Sequence, residues 1–290
     1  MRILVTGSSG FLGRHALKHL TSVSDFDVLG FDLVPNPCEG FRAIVGDLCD
    51  LDAVERACRG VDVVLHLGGV GDVDVAMADP SLALSANVIG TNNIAIGAAN
   101  AGARVVYAST WEVYGRTRYE PVDEAHPCAP NNVYAASKLS GELVLSAAQQ
   151  SGAPQCTTLR LGTAYGPGMR SNTVIGRFVS RARAGQPLAV QGTGNQWRQF
   201  THTSDIVRGM QRACEREDAL GVFNIVAKDA VTIRSLAELI AGHFDVPITF
   251  EAAREGDPIS STVSSALAHT ALGWSAHVPF DVGVAQLLGG

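Results

Sequence analysis

Tyr134 and Lys138 stand four residues apart in Tyr134-Ala135-Ala136-Ser137-Lys138, at the start of a segment that reads as a helix. That spacing puts both side chains on one helical face. A phenol is a weak acid, with a pKa of about 10, and needs help to act near neutral pH. A neighbouring ammonium, or any other cation over the site, favours the phenolate. The pair can therefore carry a proton to and from an oxygen. Y-x-x-x-K by itself is a common accident, and the bland alternative is an exposed lysine beside a packed tyrosine. A second motif, about a hundred residues upstream, argues against accident.

That motif is Gly7-Ser8-Ser9-Gly10-Phe11-Leu12-Gly13, directly after the apolar run ending at Thr6. Glycines at this spacing allow a tight turn and bring a pyrophosphate close to the backbone, at the N-terminus of the following helix. A glycine triplet is weak evidence alone; its place between the first strand and the first helix is what matters. Asp32 ends the next run, Val28–Phe31, 19 residues after Gly13. A carboxylate at an interval of about 20 hydrogen-bonds ribose hydroxyls and repels a 2′-phosphate, which favours NAD over NADP. The alternative is a turn cap before Pro35. Asp47, followed by Leu48, comes after the run Ala43–Val45. It can accept from an adenine amino group or cap the helix Leu51–Cys58, for which Asp50 serves equally well. With a dinucleotide present, Lys138 can also hold its ribose. Ser109 and Thr110 end the run Arg104–Ala108, where side chains face the ligand crevice of such sheets. Either hydroxyl can bond a substrate oxygen and share its proton with Tyr134; Thr110 is preferred.

These groups need a scaffold, and the sequence describes one. Short runs rich in Val and Ile recur at Ile3–Val5, Val28–Phe31, Val61–Leu67, Arg104–Ala108 and Cys156–Leu161. They lack polar alternation, as strands buried on both faces do. Helical stretches separate them, at Gly10–Thr21, Leu51–Cys58, Asn87–Asn100 and Tyr134–Gln149. The expected fold is α/β: a Rossmann-type doubly wound parallel sheet over residues 1–165. From about residue 166 to 290 the pattern loosens around Pro167, Pro187, Pro247, Pro258 and Pro279. A smaller substrate-binding lobe, partly interleaved with the first domain, is expected there.

The chain has 290 residues, 46% hydrophobic and 17% charged, with a net charge of −6. This is a globular composition without a basic block, so nucleic acid and anionic membrane are excluded as expected partners. No apolar run reaches the roughly 18 residues of a membrane span. The six cysteines, Cys38, Cys49, Cys58, Cys128, Cys156 and Cys214, show no C-x-x-C spacing and no histidine cluster. Neither a metal site nor a disulfide framework is expected. They read as reduced thiols of a cytoplasmic protein, and no leader peptide is expected before the first strand.

The ordered motifs resemble the extended short-chain dehydrogenases/reductases of the NAD-dependent epimerase/dehydratase family, the group that includes UDP-glucose 4-epimerase. The resemblance runs through Thr6–Gly13, Gly46-Asp47-Leu48, His66-Leu67-Gly68-Gly69, Asn87-Val88-Ile89-Gly90-Thr91, Ser109–Gly115, Tyr134–Lys138 and Tyr165-Gly166-Pro167-Gly168. It continues through Gly192–Phe200, Asp205, Arg254–Asp257 and Leu272-Gly273-Trp274. It implies NAD as cofactor, with Leu48, Leu67, Gly68, Gly69, Asn87 and Ser109 joining the glycine loop, Asp32 and Asp47 around it. It implies a nucleotide-diphosphate sugar as substrate, gripped by Arg198 and Arg254. Arginine offers bidentate donors to phosphate, although a lone arginine usually reads as surface charge. Tyr134 would take the proton of a sugar hydroxyl, helped by Thr110, while Lys138 lowers the phenol pKa. Thr163 stands where the family often has an asparagine that contacts the substrate phosphate, so the chain departs from the pattern there.

Ser109-Thr110-Trp111-Glu112 bears on the reaction. Related 4,6-dehydratases carry Thr-Asp-Glu, and here the Asp position is Trp111. Indole cannot supply an acid proton. Related decarboxylases carry Thr-Ser-Glu, so Glu112 keeps that option, and its bland alternative is a carboxylate accepting loop N–H groups. The expectation is a C4 epimerase. The alternatives are a decarboxylase or dehydratase, a net dehydrogenase or ketoreductase, and last a non-catalytic NAD-binding regulator, against which the intact Tyr134/Lys138 pair argues. The alanine-rich helices Asn87–Asn100 and Tyr134–Gln149 correspond to the family's four-helix dimer interface, which implies a homodimer. Light scattering of the purified chain should give twice the monomer mass; a monomer alone would reject that expectation.

Overall fold

The computed structural model describes residues 1–23, 26–36, 40–252 and 261–289. Its central sheet is built from β1 (Arg2–Thr6), β2 (Asp27–Asp32), β3 (Ala43–Val45), β4 (Val63–His66), β5 (Arg104–Thr110) and β6 (Cys156–Leu161). Outside it lie β7 (Thr163–Tyr165), β8 (Leu188–Gln191), β9 (Trp197–Arg198) and β10 (Phe200–His202). Then β11 (Gly221–Ile225) returns to the main sheet, and β12 (Val231–Thr232) and β13 (Ile248–Glu251) follow. The main sheet runs in the order β11-β6-β5-β4-β1-β2-β3. All six of its pairings are parallel. The chain winds outward one way from β1 to β3 and the other way from β4 to β11. β1 and β4 are neighbours in perfect register, Ile3 beside Val63. A doubly wound sheet opens its ligand crevice at that crossing point.

The unbroken apolar runs are explained by the two layers over the sheet. Alternate residues of a strand face opposite sides. Ile3 and Val5 of β1, Val63 and Leu65 of β4, and Val106 of β5 join one core with Leu17, Leu20, Ile206, Met210 and Trp274. Leu4, Val64, Val105 and Tyr107 join the opposite core with Val54, Ile94 and Leu145. The first core is closed by α1 (Phe11–Val23), and the second by α2 (Leu51–Cys58) and α5 (Gly90–Ala101). Asp50, not Asp47, caps α2, accepting from Ala53 N at 3.1 Å.

Between α2 and α5 lie α3 (Val73–Ala78) and α4 (Pro80–Leu84). α4 passes into α5 through a π-helical turn, Ser85–Ile89, with right-handed backbone on both sides. Asn87 therefore lies inside a bulge of a longer helix and does not begin one. Such bulges often serve a site. α6 (Val133–Gln150) starts where Asn132 accepts from Ala135 N at 2.8 Å, a side-chain cap that fixes the first turn and so Tyr134.

The second half of the chain is shared between two places. α7 (Val174–Arg183), α9 (Ile233–Phe244) and α11 (Phe280–Leu288) enclose a third core of Ile175, Phe178, Leu188, Phe200, Leu236 and Val284. α8 (Thr203–Glu215), α10 (Ala266–Leu272) and β11 pack instead on the main sheet. Among the described residues no helix is long and apolar enough to cross a membrane.

One buried ion pair ties α6 to the sheet. Arg160 of β6 bonds Glu142 through both Nε (3.1 Å) and Nη2 (2.7 Å), and both side chains are more than nine-tenths buried. Ser109 also donates to Glu142, and the Arg160 guanidinium lies 4.7 Å from the Tyr114 ring centroid. Removing one partner leaves the other charge buried and uncompensated. Glu142→Ala should lower the unfolding free energy by about 3–5 kcal/mol in a denaturant titration; a loss under about 1 kcal/mol would contradict this account of the pair.

Candidate active site

The carboxyl ends of β1, β4, β5 and β6 open into a cleft of about 620 Å³, within the ordinary range for small-molecule sites. The glycine loop forms one wall. Gly7 has φ of 65°, and a side-chain carbon there would come 2.8 Å from Gly68 Cα. On Gly13 it would come 2.0 Å from the carbonyl oxygen of Gly7. The loop and the start of α1 are thus packed backbone on backbone. This bare backbone at a helix N-terminus makes a cradle into which the diphosphate of a dinucleotide fits.

The structure brings most of the expected residues to this cleft. Gly7, Gly10, Phe11, Leu12, Gly13, Leu67, Gly69, Ser109, Thr110, Glu112, Tyr134, Lys138 and Thr163 all line it. Asp32 sits beside it at the end of β2, its carboxylate accepting from Ser9 N at 2.9 Å and Val34 N at 3.3 Å. Asp47 accepts from Cys49 N at 2.8 Å. Leu48 touches the same loops, since a side-chain carbon on Gly68 would meet Leu48 Cδ1 at 2.7 Å. Asn87 spans Val70, donating to its carbonyl at 3.0 Å and accepting from its N–H at 2.8 Å. Arg198 lines an adjoining recess with Trp111, Thr163 and Trp197, and donates to Trp197 O at 2.8 Å. Arg254 lies outside the described residues.

Thr110 ends β5 and caps the short turn Trp111–Tyr114, accepting from Glu112 N at 3.2 Å. The turn sends Trp111 and Glu112 into the cleft beside Thr110. Burial pushes the Tyr134 phenol well above its ordinary value, and the Glu112 carboxylate pushes the same way. A hydrogen bond with Thr110 pulls it down, as does the Arg170 guanidinium. Glu112 is itself raised by burial, against the pull of Asn132, which donates to it at 3.2 Å, and of Arg198. Asn132 therefore caps the helix of Tyr134 through one amide atom and holds Glu112 through the other. Burial lowers Lys138 to about 7, partly opposed by Glu142. Its ammonium lies 4.3 Å from the Tyr107 ring centroid. Glu112, Thr110, Arg170 and Asp72 all act on the phenol, and Lys138, four residues along the same helix, lines the same cleft.

Three site residues escaped the sequence reading. Arg170 donates to Asp72 at 2.5 Å and to Gly71 O at 2.9 Å, and Asn172 donates to Asp72 at 3.1 Å. They strap the loop after β7 to the loop after β4 across the rim of the cleft. Nothing local in the sequence pairs these residues, which lie 98 and 100 positions apart. Among the described residues no group of acidic, histidine or cysteine side chains is arranged to hold a metal ion.

A glycine cradle at the crossing point, with a threonine, a tyrosine and a buried lysine over the same cleft, defines a dinucleotide-dependent enzyme. The chain belongs to the NAD dependent epimerase/dehydratase family, whose model matches residues 3–226. NAD is accordingly its cofactor. It is 29% identical over 307 residues to a dTDP-glucose 4,6-dehydratase of Actinoplanes sp., covering 99% of this chain and 96% of the relative. Among solved structures it resembles MoeE5 in complex with UDP-glucose and NAD, at 30% identity and TM-score 0.91, covering 100% of this chain and 98% of that one. It also resembles the UDP-glucose 4-epimerase of Thermotoga maritima with UDP-glucose, at 25% identity and TM-score 0.93, with 100% and 98% covered.

If the phenol carries the proton, its loss should stop chemistry and spare the cradle. Tyr134→Phe should bind NAD as the parent does and show no turnover. Undiminished activity in that variant would reject Tyr134 as the acid/base.

Proposed function

We propose that this chain is an NAD-dependent nucleotide-sugar epimerase acting at C4, which oxidises a sugar carbon transiently and then reduces it on the other face. The observation that carries the choice of reaction is Trp111, which lines the cleft between Thr110 and Glu112. An elimination of water needs a proton donor near the leaving hydroxyl, and an indole offers only a very weakly acidic N–H. Transient oxidation needs one proton carrier, and Tyr134, which shares the cleft lining with Thr110, is a phenol able to serve.

Bound NAD supplies the hydride acceptor and returns the hydride, so the cofactor emerges unchanged. Tyr134 accepts the proton of the sugar hydroxyl as the carbon becomes a ketone, and gives it back on reduction. Thr110, in the same cleft lining, shares that proton and orients the sugar oxygen. Lys138, buried in the cleft lining, holds the ribose side of the cofactor. The glycine loop takes the diphosphate, Asp32 the adenosine ribose, and Asp47 the adenine side. Arg198 and Arg254 grip the substrate diphosphate, with Arg198 and Thr163 meeting in the recess that adjoins the cleft. The keto-sugar must turn over between the two half-reactions, and a cleft of about 620 Å³ leaves room for it.

A second reading is favoured by the likeness to dTDP-glucose 4,6-dehydratases and by the buried Glu112 beside Tyr134. Glu112 can take a proton from a carbon next to the ketone, which would lead to loss of water or of carbon dioxide. The homodimer is part of the same proposal. Met77, Leu82, Leu84, Ile89, Ile96 and Leu143 are exposed apolar residues on α3 to α6 and the turn between them, which suits a face covered by a second copy.

Incubation with a panel of UDP- and dTDP-sugars, followed by NMR, should yield the C4 epimer of one of them with no net change in nicotinamide absorbance. A deoxy-keto product or a pentose would instead establish the second reading. Stoichiometric accumulation of NADH would mean a net dehydrogenase.

A further inference from the structure

His66, at the end of β4, is fully buried and is not part of the cleft lining. Its Nδ1 lies 2.7 Å from Thr6 Oγ1 and its Nε2 lies 3.0 Å from Thr91 Oγ1. The neighbours fix every proton in this chain of contacts. Thr91 spends its hydroxyl proton on the carbonyl of Asn87, at 2.7 Å. It can then only accept from His66, so Nε2 carries the ring proton. Thr6 accepts from Gly68 N at 3.0 Å, and its own proton goes to the bare Nδ1. The ring is neutral, and burial together with the Lys138 ammonium lowers its pKa to about 3.

The path continues beyond Asn87 into the catalytic helix. The Asn87 amide is oriented by Val70, whose N–H and carbonyl it meets on opposite sides. Its remaining N–H donates to Ser137 Oγ at 2.8 Å, and Ser137 donates to the carbonyl of Tyr134 at 2.8 Å. Thr6, His66, Thr91, Asn87 and Ser137 are all more than nine-tenths buried. One side of this path is the backbone of Gly68, which packs against Gly7 in the cofactor cradle. The other is the backbone of the residue that moves the proton.

We propose that His66 is a positioning residue. Held as the neutral Nε2–H form, it links the dinucleotide cradle at the β1–β4 crossing to the first turn of α6 through Thr91, Asn87 and Ser137. It thereby sets where Tyr134 stands relative to the bound cofactor. The inference rests on the reading of Tyr134 as the acid/base, but its principal readout does not. The path crosses Asn87 covalently, from the main-chain carbonyl that Thr91 meets to the side-chain amide that meets Ser137, and a hydroxyl missing from it leaves a buried N–H or acceptor without a partner.

The test separates hydrogen bonding from packing. Valine matches threonine in shape and lacks the hydroxyl; serine keeps the hydroxyl and loses a methyl. NAD affinity of the full-length chain is measured by calorimetry for Thr91→Val and Thr91→Ser, with turnover at saturating NAD as the second readout. Loss of one buried partner predicts a dissociation constant about tenfold higher for Thr91→Val. Turnover in that variant should stay reduced even when NAD saturates, since Tyr134 is displaced as well. Thr91→Ser should remain within about threefold of the parent. His66→Leu should resemble Thr91→Val, and if it fails to fold the Thr91 pair decides alone. The reverse order, with valine harmless and serine impaired, would show that Thr91 acts by packing and would overturn the relay. Equal impairment of both, or of neither, would overturn it too. If the relay variants bind NAD like the parent but Tyr134→Phe is inactive, the relay falls while the catalytic reading stands.

Discussion

The fold depends on how closely two backbones approach where β1 and β4 meet. Gly7 and Gly68 leave no room for a side-chain carbon between them. That contact pulls the loops after two adjacent strands together at the point where the winding of the sheet reverses. The helix dipole of α1, the open end of the cleft and the exit of β5 then converge on one region. The apolar layers behind the sheet supply the stability, and the glycine contact decides where that stability is put to chemical use.

Tyr134 is positioned from several directions. Asn132 sets the start of α6, Thr110 fixes the turn that brings Glu112 near the phenol, and the Glu142–Arg160 pair anchors the helix two turns on. Burial alone makes Tyr134 a poorer acid than tyrosine in water. The chain answers with a hydroxyl and a guanidinium that favour the phenolate, and with a carboxylate that opposes it.

Much of this was legible in the sequence. Strands buried on both faces carry continuous Val/Ile runs, so β1 to β6 were found to within a residue or two. The glycine loop and the Tyr134/Lys138 spacing are local patterns, and both reached the cleft. The misses are non-local. β11 begins with a half-empty Gly221-Val222 and becomes a strand only because β6 offers an edge. The helix break at Ser85–Ile89 depends on the reach of Asn87 to Val70 and Ser137, partners 17 and 50 residues away. Lys138 was read from its own helix, whereas its surroundings are set by Tyr107 on a strand. The link between Arg170 and Asp72 joins residues 98 apart, and neither announces the other.

That last link bears on traffic through the cleft. Asp72 is nearly buried while Arg170 is half exposed, so the strap is anchored on one side and open to solvent and salt on the other. A ligand held beneath such a fastening would exchange only when it opens, whereas the far end, towards Trp111 and Arg198, lies beyond it. The two ends of the groove would then run on different clocks: one occupant resident over many cycles, the other replaced at each.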